Sequence, residues 1–491
     1  MLRIVRGRYC GGRVEQGLRW EGIFPHKPSM RRFGDWAFPR RGWLAVALYL
    51  LVALTAVVVM ARIVPPFAAP DEGSHLLRAA SIVAGHIGGR RVDDGIQGEV
   101  DEGVVAFLRA YESHFTQPSP VPPAMAAAGA AVRWSHRDAV MPFPNTGQYG
   151  PFLYLPQAAT LAVARALDLP VETSYRAARL AGALASILVA AAAIGLARWG
   201  RVLLMTLLLT PMFLFLAVSV SQDGLVIAVA ALYAALLSRL WSDGVPAGVG
   251  TVLVALLCVL LLSLARPPYV LLALLLVDPR PGRFASLFRR LAMPLAAAGL
   301  AVLLCLSWMA WGHLFGVKVA VDPAVDASAQ ARLLLAQPWR VPLIALNSWR
   351  AAYISAAHVI GVLGWLRIGL APWAYIVGWG CLCCAGLAAL LRPTGPAPWP
   401  ACLVWLVVLA LTAALALAQY LTWTPVGAPA VEGLQGRYFM PLICAGGLAL
   451  PPLRRQGFGR ARRVLAGVAC GGMGLVLIHG ILVLRRTYLG V

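Results

Sequence analysis

The chain has 491 residues, of which 60% are hydrophobic and 13% are charged. A soluble protein of this length would not bury so much apolar surface, and repeated apolar runs of about 20 residues indicate membrane helices. The formal net charge is +22, and it comes from arginine because Lys27 and Lys318 are the only lysines. In a protein with many membrane helices, excess arginine orients cytoplasmic loops and contacts anionic headgroups. Nucleic-acid binding would need a soluble basic module, which the sequence does not show, so we expect membrane lipid and no nucleic acid as a partner.

The chain opens with a basic tail, residues 1–41, ahead of a first apolar run at 42–64. Arginine before a first membrane helix places the N-terminus in the cytoplasm. The tail is too long and the apolar run too extended for a cleaved signal peptide, so the run is expected to remain as an anchor. Met30 is an alternative start of translation to Met1, because a short basic lead would then precede the anchor.

The longest polar segment, residues 65–150, follows that helix and is therefore expected to be extracytoplasmic. It opens with prolines and then places Asp71, Glu72, His75 and Arg78 within eight residues. If Asp71 starts a helix, then Asp71, His75 and Arg78 share one face, because positions i, i+4 and i+7 do. This pattern predicts a cluster of ionisable groups where a membrane helix meets water. The alternative is a helix that Asp71 caps, with ordinary solvated charges.

The same loop contains two short amphipathic stretches, about 72–86 and 98–113, that are expected to lie along the membrane surface. A stretch rich in proline and alanine at 118–131 is expected to be a linker. The loop ends in an aromatic, proline-rich sequence from Tyr149 to Pro156, which suits the membrane interface.

Twelve further apolar runs follow the first as candidate membrane helices, although some of them, notably 267–277, are too short to cross a membrane alone. They lie at roughly 151–167, 177–197, 202–220, 222–241, 249–265, 267–277, 291–312, 345–365, 371–391, 400–420, 437–453 and 464–484. The predicted fold class is all-α, a polytopic integral membrane protein with about 11–13 transmembrane helices. The membrane domain is expected to cover 42–491.

The charge rule places the linker Arg198–Arg201 in the cytoplasm. Two crossings at 151–167 and 177–197 would instead place it outside. One of the runs between Tyr149 and Asp223 is therefore expected to lie flat or to re-enter the membrane.

Asp223 lies between two apolar runs. An acid in that position is costly, so it usually has a partner or a function, and the alternative is an ordinary loop acid. The sequence from Arg266 through two prolines to Tyr269 interrupts another apolar stretch. Such a break either brings an arginine to a phosphate group or marks a packing kink.

Gln435, Arg437 and Tyr438 precede a late membrane helix. An arginine at the mouth of a helix can bind a lipid phosphate through two hydrogen bonds. It can equally extend to the headgroups without a specific ligand.

The chain resembles a family of bacterial polytopic membrane proteins known only as a domain of unknown function, family 2142. The motifs that carry the resemblance are Ala69-Pro70-Asp71-Glu72-Gly73-Ser74-His75, Ala84-Gly85-His86, Tyr149 to Pro156, Ser221-Gln222-Asp223, Gly361 to Leu366 and Gly433 to Pro441. The chain has Gly73 where the family often has proline, and Arg367 where the family often has an acid.

That family is in turn similar to the GT-C glycosyltransferases, membrane enzymes whose first external loop carries an acidic motif. The resemblance implies a GT-C-like fold with a long first extracytoplasmic loop. It also implies transfer of a sugar from a polyprenyl-phosphate donor to a glycan or lipid acceptor at the outer face. The setting would be cell-envelope synthesis in the bacterial inner membrane.

The resemblance makes Asp71 the expected catalytic acid, with Glu72 and Asp223 beside it. Asp71 would be the general base for the acceptor hydroxyl, or would hold a divalent cation such as Mg²⁺ or Mn²⁺ together with His75. A cation must meet the negative charge that grows on the leaving phosphate, and Arg437 is the first candidate. The expected substrate-binding residues are His75, Arg78, Tyr149, Arg266, Tyr269, Gln435, Arg437 and Tyr438.

Two other classes of function stay open. A lipid-linked glycan transporter or flippase, or a non-catalytic membrane subunit of an export system, would also use arginines to hold phosphate. A transporter needs ionisable groups near the bilayer midplane. Here the acids collect at the external edge instead, which favours chemistry at the surface.

Overall fold

The computed structural model of the protein describes residues 40–92, 95–242, 248–277, 287–315, 322–392, 398–447, 450, 452–453 and 458–491. Its α-helices are α1 (Arg40–Ile63), α2 (Glu72–Val83), α3 (Glu102–Tyr111), α4 (Pro123–Ala131), α5 (Pro144–Gly147), α6 (Leu155–Ala166), α7 (Val171–Leu196), α8 (Arg201–Leu207), α9 (Pro211–Ala217), α10 (Asp223–Leu240), α11 (Val249–Ala265), α12 (Leu287–Trp311), α13 (Ala327–Ala336), α14 (Arg340–Asn347), α15 (Trp349–Ile360), α16 (Pro372–Leu390), α17 (Pro398–Thr422), α18 (Met440–Gly446) and α19 (Gly459–Leu489). Helices of the 3-10 type lie at Glu112–His114, Phe152–Tyr154, Pro267–Leu276 and Gly436–Tyr438. The strands are β1 (Arg90–Val92), β2 (Gly95–Asp101), β3 (Asp138–Pro142), β4 (Val362–Leu363) and β5 (Ile368–Gly369). Apart from Arg40 and Arg41, which begin α1, the basic tail and both candidate start codons lie outside the described residues.

Within these ranges, seven helices are long and apolar enough to cross a membrane: α1, α7, α10, α12, α16, α17 and α19. The central helix is α10, because 83% of its apolar 18-residue stretch is buried inside the protein. In α12 only 17% of the corresponding stretch is buried. Apolar surface that other helices do not cover suits contact with lipid. The prediction of an all-α polytopic membrane protein is confirmed. Other runs that the sequence marked as candidates form shorter elements, such as the 17-residue α11 and the 3-10 helix Pro267–Leu276.

The structure identifies the run that does not cross between Tyr149 and Asp223. Helix α6 has 12 residues, or about 18 Å of helix, which is short of the bilayer core. Helix α7 has 26 residues, and the chain then returns through α8 and α9. The backbone N–H of Arg198 donates to Ser238 Oγ at 2.9 Å, so α7 and α10 end on the same side of the protein. The linker that begins at Arg198 therefore lies at the opposite end of α10 from Asp223.

The segment between α1 and α7 shares an apolar core with α7, to which Phe67, Phe107 and Tyr175 contribute. Strands β1, β2 and β3 form an antiparallel sheet in that order, which the sequence analysis did not predict. Helices α2 and α3 fall within the two amphipathic stretches that were expected there. The expectation of a linker at 118–131 is wrong over Pro123–Ala131, because this alanine-rich stretch forms α4 with proline in its first turn.

Phe67 fixes the loop between α1 and α2. Its ring is fully buried, and it packs against Phe107, Phe115 and Tyr175 with centroid distances of 4.9–5.4 Å. The Phe67 backbone N–H also donates to the Tyr175 hydroxyl at 2.9 Å. On its other side the loop meets Trp365, whose indole N–H donates to the Phe67 carbonyl at 2.7 Å. These contacts hold the start of the acidic motif in one place.

Candidate functional site

Four charged side chains from distant parts of the sequence form one row of ion pairs. Arg437 Nη2 donates to Asp71 Oδ2, and Arg437 Nη1 lies 2.9 Å from Asp223 Oδ2. Arg266 Nη2 then donates to Asp223 Oδ1 at 2.8 Å. The row Asp71–Arg437–Asp223–Arg266 has no net formal charge, so each charge has an opposite charge beside it to offset part of the cost of burial. We call these four residues the ion-pair row.

Each member of the row lies where a helix begins or breaks. Asp71 immediately precedes α2, and Asp223 is the first residue of α10. Arg266 has an extended backbone between α11 and the following 3-10 helix, where two prolines stop the helix. Arg437 lies in the short 3-10 helix ahead of α18. The interruptions bring charged side chains to one end of the membrane helices.

Arg266 is held between two aromatic rings. Its guanidinium carbon lies 4.0 Å from the centroid of the Tyr438 ring and 5.8 Å from that of Tyr149. The Tyr269 hydroxyl donates to the Tyr438 carbonyl at 2.9 Å and so fixes the backbone next to Arg437. Cation–π contacts of this kind fix the plane of a guanidinium that has lost its water.

Glu72 belongs to a second, separate ion pair. Both of its oxygens accept hydrogen bonds from Arg179 of α7, at 2.7 and 2.8 Å, and both side chains are at most 2% exposed. The Glu72 carboxylate also accepts from the backbone N–H groups of Ala69 and Val220. Arg179 in turn donates to the Val64 carbonyl at the end of α1. This pair ties α1, α7 and the entry to α10 together.

The carboxylates of Asp71, Glu72 and Asp223 differ in whether one of their oxygens is accessible to a ligand. Both oxygens of Glu72 are occupied by Arg179 and backbone donors. Asp223 lies between two arginines, and its side chain is 4% exposed. Asp71 has one oxygen on Arg437, whereas its Oδ1 receives only a long contact of 3.4 Å from Asn145. With its side chain 26% exposed, Asp71 is the acid with an oxygen that a substrate can reach.

Asp71 does not cap α2, so the capping alternative is wrong. It stands at the N-cap position but makes no side-chain bond to the helix, and its φ is +60°. A left-handed backbone is uncommon for a residue other than glycine and is tolerated best by Asn and Asp. The turn aims the carboxylate away from the helix and toward Arg437. Backbone conformations of this kind often accompany functional sites.

His75 and Arg78 follow on the same helix. His75 Nδ1 lies 2.6 Å from the Tyr154 hydroxyl, and burial lowers the pKa of His75 to about 4 against the opposing effect of Asp223 and Asp71. Arg78 is fully buried and donates to the carbonyls of Ile87 and Tyr149. Burial lowers the pKa of Arg78 to about 10, so it stays charged at neutral pH. Of the three residues on the predicted face, His75 and Arg78 contact the segment Tyr149–Tyr154, whereas Asp71 pairs with Arg437.

Gln435 comes two residues before Arg437 and meets α15. Its Oε1 atom is buried without a hydrogen-bond partner among the described residues, and so are Ser355 Oγ and His358 Nδ1 of α15. Burial also lowers the pKa of His358 to about 4, with Arg437 acting in the same direction. Together with Arg179, the residues Ser355 and His358 escaped the sequence analysis. Polar side chains inside apolar runs were the available signal for all three.

The donor atoms at Asp71 and His75 do not fit a resident divalent cation. One oxygen of Asp71 faces the Arg437 guanidinium, and His75 Nδ1 is bonded to Tyr154. Across the described part of the chain, no three His, Cys, Asp or Glu side chains lie together as a metal site would require. We therefore derive no chemical step through a metal.

Residues 54–445 match the family described as predicted membrane protein (DUF2142). The chain belongs to this family. The matched range contains all four members of the ion-pair row and the Glu72–Arg179 pair. No curated protein and no solved structure gives a significant match to the chain.

Proposed function

We propose that this protein is a membrane glycosyltransferase that moves a sugar from a polyprenyl-phosphate carrier to a glycan or lipid acceptor. The observation that carries the proposal is the environment of the Asp71 carboxylate. This carboxylate is held by the buried Arg437, which Asp223 links to Arg266, and it keeps one oxygen within reach of a ligand. A reachable base next to cations is the arrangement that transfer from a lipid phosphate requires.

The reaction that this geometry supports is a single displacement at the anomeric carbon of the sugar. The acceptor oxygen forms a bond to that carbon while the bond from the carbon to the carrier phosphate breaks. The acceptor proton passes to Asp71 Oδ1, the oxygen that Arg437 does not occupy. The electron pair of the broken bond stays on the polyprenyl phosphate, which gains one negative charge.

The arginines of the ion-pair row meet that new charge. Arg437 and Arg266 are already aligned by Asp223 and the aromatic rings, so little reorganisation is needed when the charge develops. Asp223 and Glu72 act as positioning residues in this account, because their oxygens are committed to arginines. His75 is neutral at physiological pH and supports the wall of the site through Tyr154.

The site lies at one end of the membrane helices, and we infer that this end is the outer one. The ion-pair row lies at the end of the membrane helices opposite the arginine-rich linker that begins at Arg198. By the charge rule that linker is cytoplasmic, which places Asp71 at the outer face. We infer a bacterial inner-membrane protein with a cytoplasmic N-terminus, and a cell-envelope glycan or glycolipid as its product.

The test is transfer by the purified protein in lipid nanodiscs. Radiolabelled polyprenyl-phosphate sugars serve as donors, and a total extract of membrane lipids and glycans serves as the acceptor pool. Label that moves from the carrier into an acceptor supports the proposal. A donor that is bound but never consumed contradicts it and favours the transport alternative.

A further inference from the structure

A cleft of about 680 Å³ opens at the segment that precedes Arg437 in the sequence. It lies between the start of α15, at Trp349 and Ala351, and the segment 429–434. That segment ends three residues before Arg437. The volume is within the usual range for small-molecule sites.

Helix α15 leads from the cleft to Arg437. Ala351 lines the cleft, and Ser355 and His358 follow it at positions i+4 and i+7, so all three share one helix face. Gly436 packs directly on this part of α15, since a methyl group there would lie 2.3 Å from the Ser355 carbonyl oxygen. The turn that carries Gln435 and Arg437 is therefore in contact with the polar face of α15.

Four buried polar atoms along this contact have no hydrogen-bond partner among the residues that the structure describes. They are Ser355 Oγ, His358 Nδ1, Gln435 Oε1 and Arg437 Nε. Ser355, His358 and Arg437 are each at least nine-tenths buried. Buried polar atoms of this kind are costly unless a ligand or water satisfies them.

The chemistry of these atoms indicates a neutral ligand with several hydroxyl groups. A serine hydroxyl both donates and accepts, an amide oxygen accepts, and a guanidinium nitrogen donates. A sugar ring offers the complementary mixture, and Trp349 at the mouth of the cleft offers an aromatic face. Trp349 and Ile354 line the cleft and are exposed by 62% and 50%, so its apolar edge opens toward lipid, while Arg350 and Glu432 add charged groups to the lining.

We propose that the sugar of the lipid-linked donor enters through this cleft and rests on Ser355, His358 and Gln435, with its phosphate at Arg437. The inference depends on the proposed function for the nature of the carrier. It adds a substrate-binding face on α15, and it assigns the opening between α15 and segment 429–434 to the donor rather than to the acceptor.

The test compares two lipids as ligands of the full-length protein in nanodiscs. One is polyprenyl phosphate that carries a single radiolabelled hexose, and the other is the same polyprenyl phosphate without the sugar. The first variant is Ser355→Ala, because its hydroxyl has no hydrogen-bond partner among the described residues and its loss breaks no bond seen there. The second is His358→Leu, with His358→Asn as a conservative variant that retains a polar atom near Nδ1. Tyr353→Phe, on the exposed face of α15, is the matched control.

We expect Ser355→Ala and His358→Leu each to weaken binding of the sugar-bearing lipid by roughly 5–10-fold, the usual effect of one lost hydrogen bond. Binding of the bare polyprenyl phosphate should not change, His358→Asn should restore part of the affinity, and Tyr353→Phe should bind both lipids normally. The thermal midpoint of Ser355→Ala without ligand should equal that of the wild type, which a structural role for the hydroxyl would not allow.

Equal weakening for both lipids, no weakening for either, or an effect confined to the KM for the acceptor would each overturn the inference. In all three cases the wild type still transfers sugar, and the proposed function stands. If the wild type neither binds the sugar-bearing lipid nor transfers its sugar, the proposed function fails together with the inference.

Discussion

The Arg437 guanidinium lies against the carboxylate of Asp71, although 366 positions separate them in the sequence. The contact joins the first polar loop to the last one on the same side of the membrane helices. Because Arg437 also reaches Asp223, a single side chain sets the distance between two acids. The geometry of the site thus depends on Arg437 as the bridge between Asp71 and Asp223.

Replacing Arg437 with lysine should reduce transfer by about 10²-fold or more, the effect of losing one aligned charge donor. Lysine has the same charge but a compact ammonium group on a flexible stem, so it cannot reproduce the rigid fork that contacts Asp71 and Asp223 through separate nitrogens. The measurement is the initial rate of sugar transfer at saturating donor. Arg367→Lys, an exposed arginine after β4, is the control and should retain the wild-type rate. A wild-type rate in Arg437→Lys would show that bridging is unimportant.

Glu72→Gln should lower the stability of the protein by about 3–5 kcal/mol, because it leaves Arg179 buried without its partner charge. The thermal midpoint in detergent measures this loss. The double variant Glu72→Gln, Arg179→Met should recover part of it, since the unpaired charge is then gone. An unchanged thermal midpoint combined with lost transfer would indicate that Glu72 acts in the transfer reaction rather than in stabilising the fold.

The stability of the protein should fall as the pH decreases from about 6.5 to about 4. Burial lowers the pKa of both His75 and His358 to about 4, whereas a histidine in the unfolded chain titrates near 6.5. The unfolded state therefore binds these protons first, and each histidine should cost about 2 kcal/mol of stability at pH 5. Thermal midpoints between pH 7.5 and 5 measure the effect.

His358→Asn removes one of the two titrating groups and should flatten that pH profile. His136→Asn is the matched control, because His136 is exposed and its left-handed backbone accepts asparagine. A profile for His358→Asn that is as steep as that of the wild type would exclude His358 as a neutral buried group.

The two ends of α7 should face opposite sides of the membrane. Cysteine introduced at Ala128, in the exposed part of α4, should react with an impermeant maleimide added outside intact cells. Cysteine at Arg198 should react only after the membrane is opened, because the arginine-rich linker is cytoplasmic in this account. Labelling of both positions from the same side would contradict the assigned topology.

The sequence was sufficient for the membrane fold because apolar run length reports directly on membrane helices. It also singled out Asp71, Asp223, Arg266 and Arg437, since charged residues at the ends of apolar runs are unusual. It could not show that these residues pair with one another, because contacts between distant segments depend on how the helices pack.

The role of Glu72 shows the limit most clearly. Next to Asp71 in the sequence, Glu72 is predicted to be a second catalytic acid, but the sequence does not indicate its pairing with an arginine, because neighbouring residues at a helix start point in different directions. Its partner Arg179 lies 107 positions away within an apolar helix. The sheet of β1, β2 and β3 was missed for a related reason, since β1 has three residues and β3 five, too few for a clear alternating pattern.

The most direct test of the account is transfer by Asp71→Asn. Asparagine keeps the size of the side chain and tolerates the left-handed backbone at this position, so the fold and donor binding should be retained. It cannot accept the acceptor proton as a carboxylate does, and loss of a general base typically costs 10²–10⁴-fold in rate. We predict that Asp71→Asn binds the radiolabelled polyprenyl-phosphate sugar as the wild type does and transfers about 10²-fold less of it, or none. Transfer at the wild-type rate would contradict the catalytic role of Asp71 and with it the central claim.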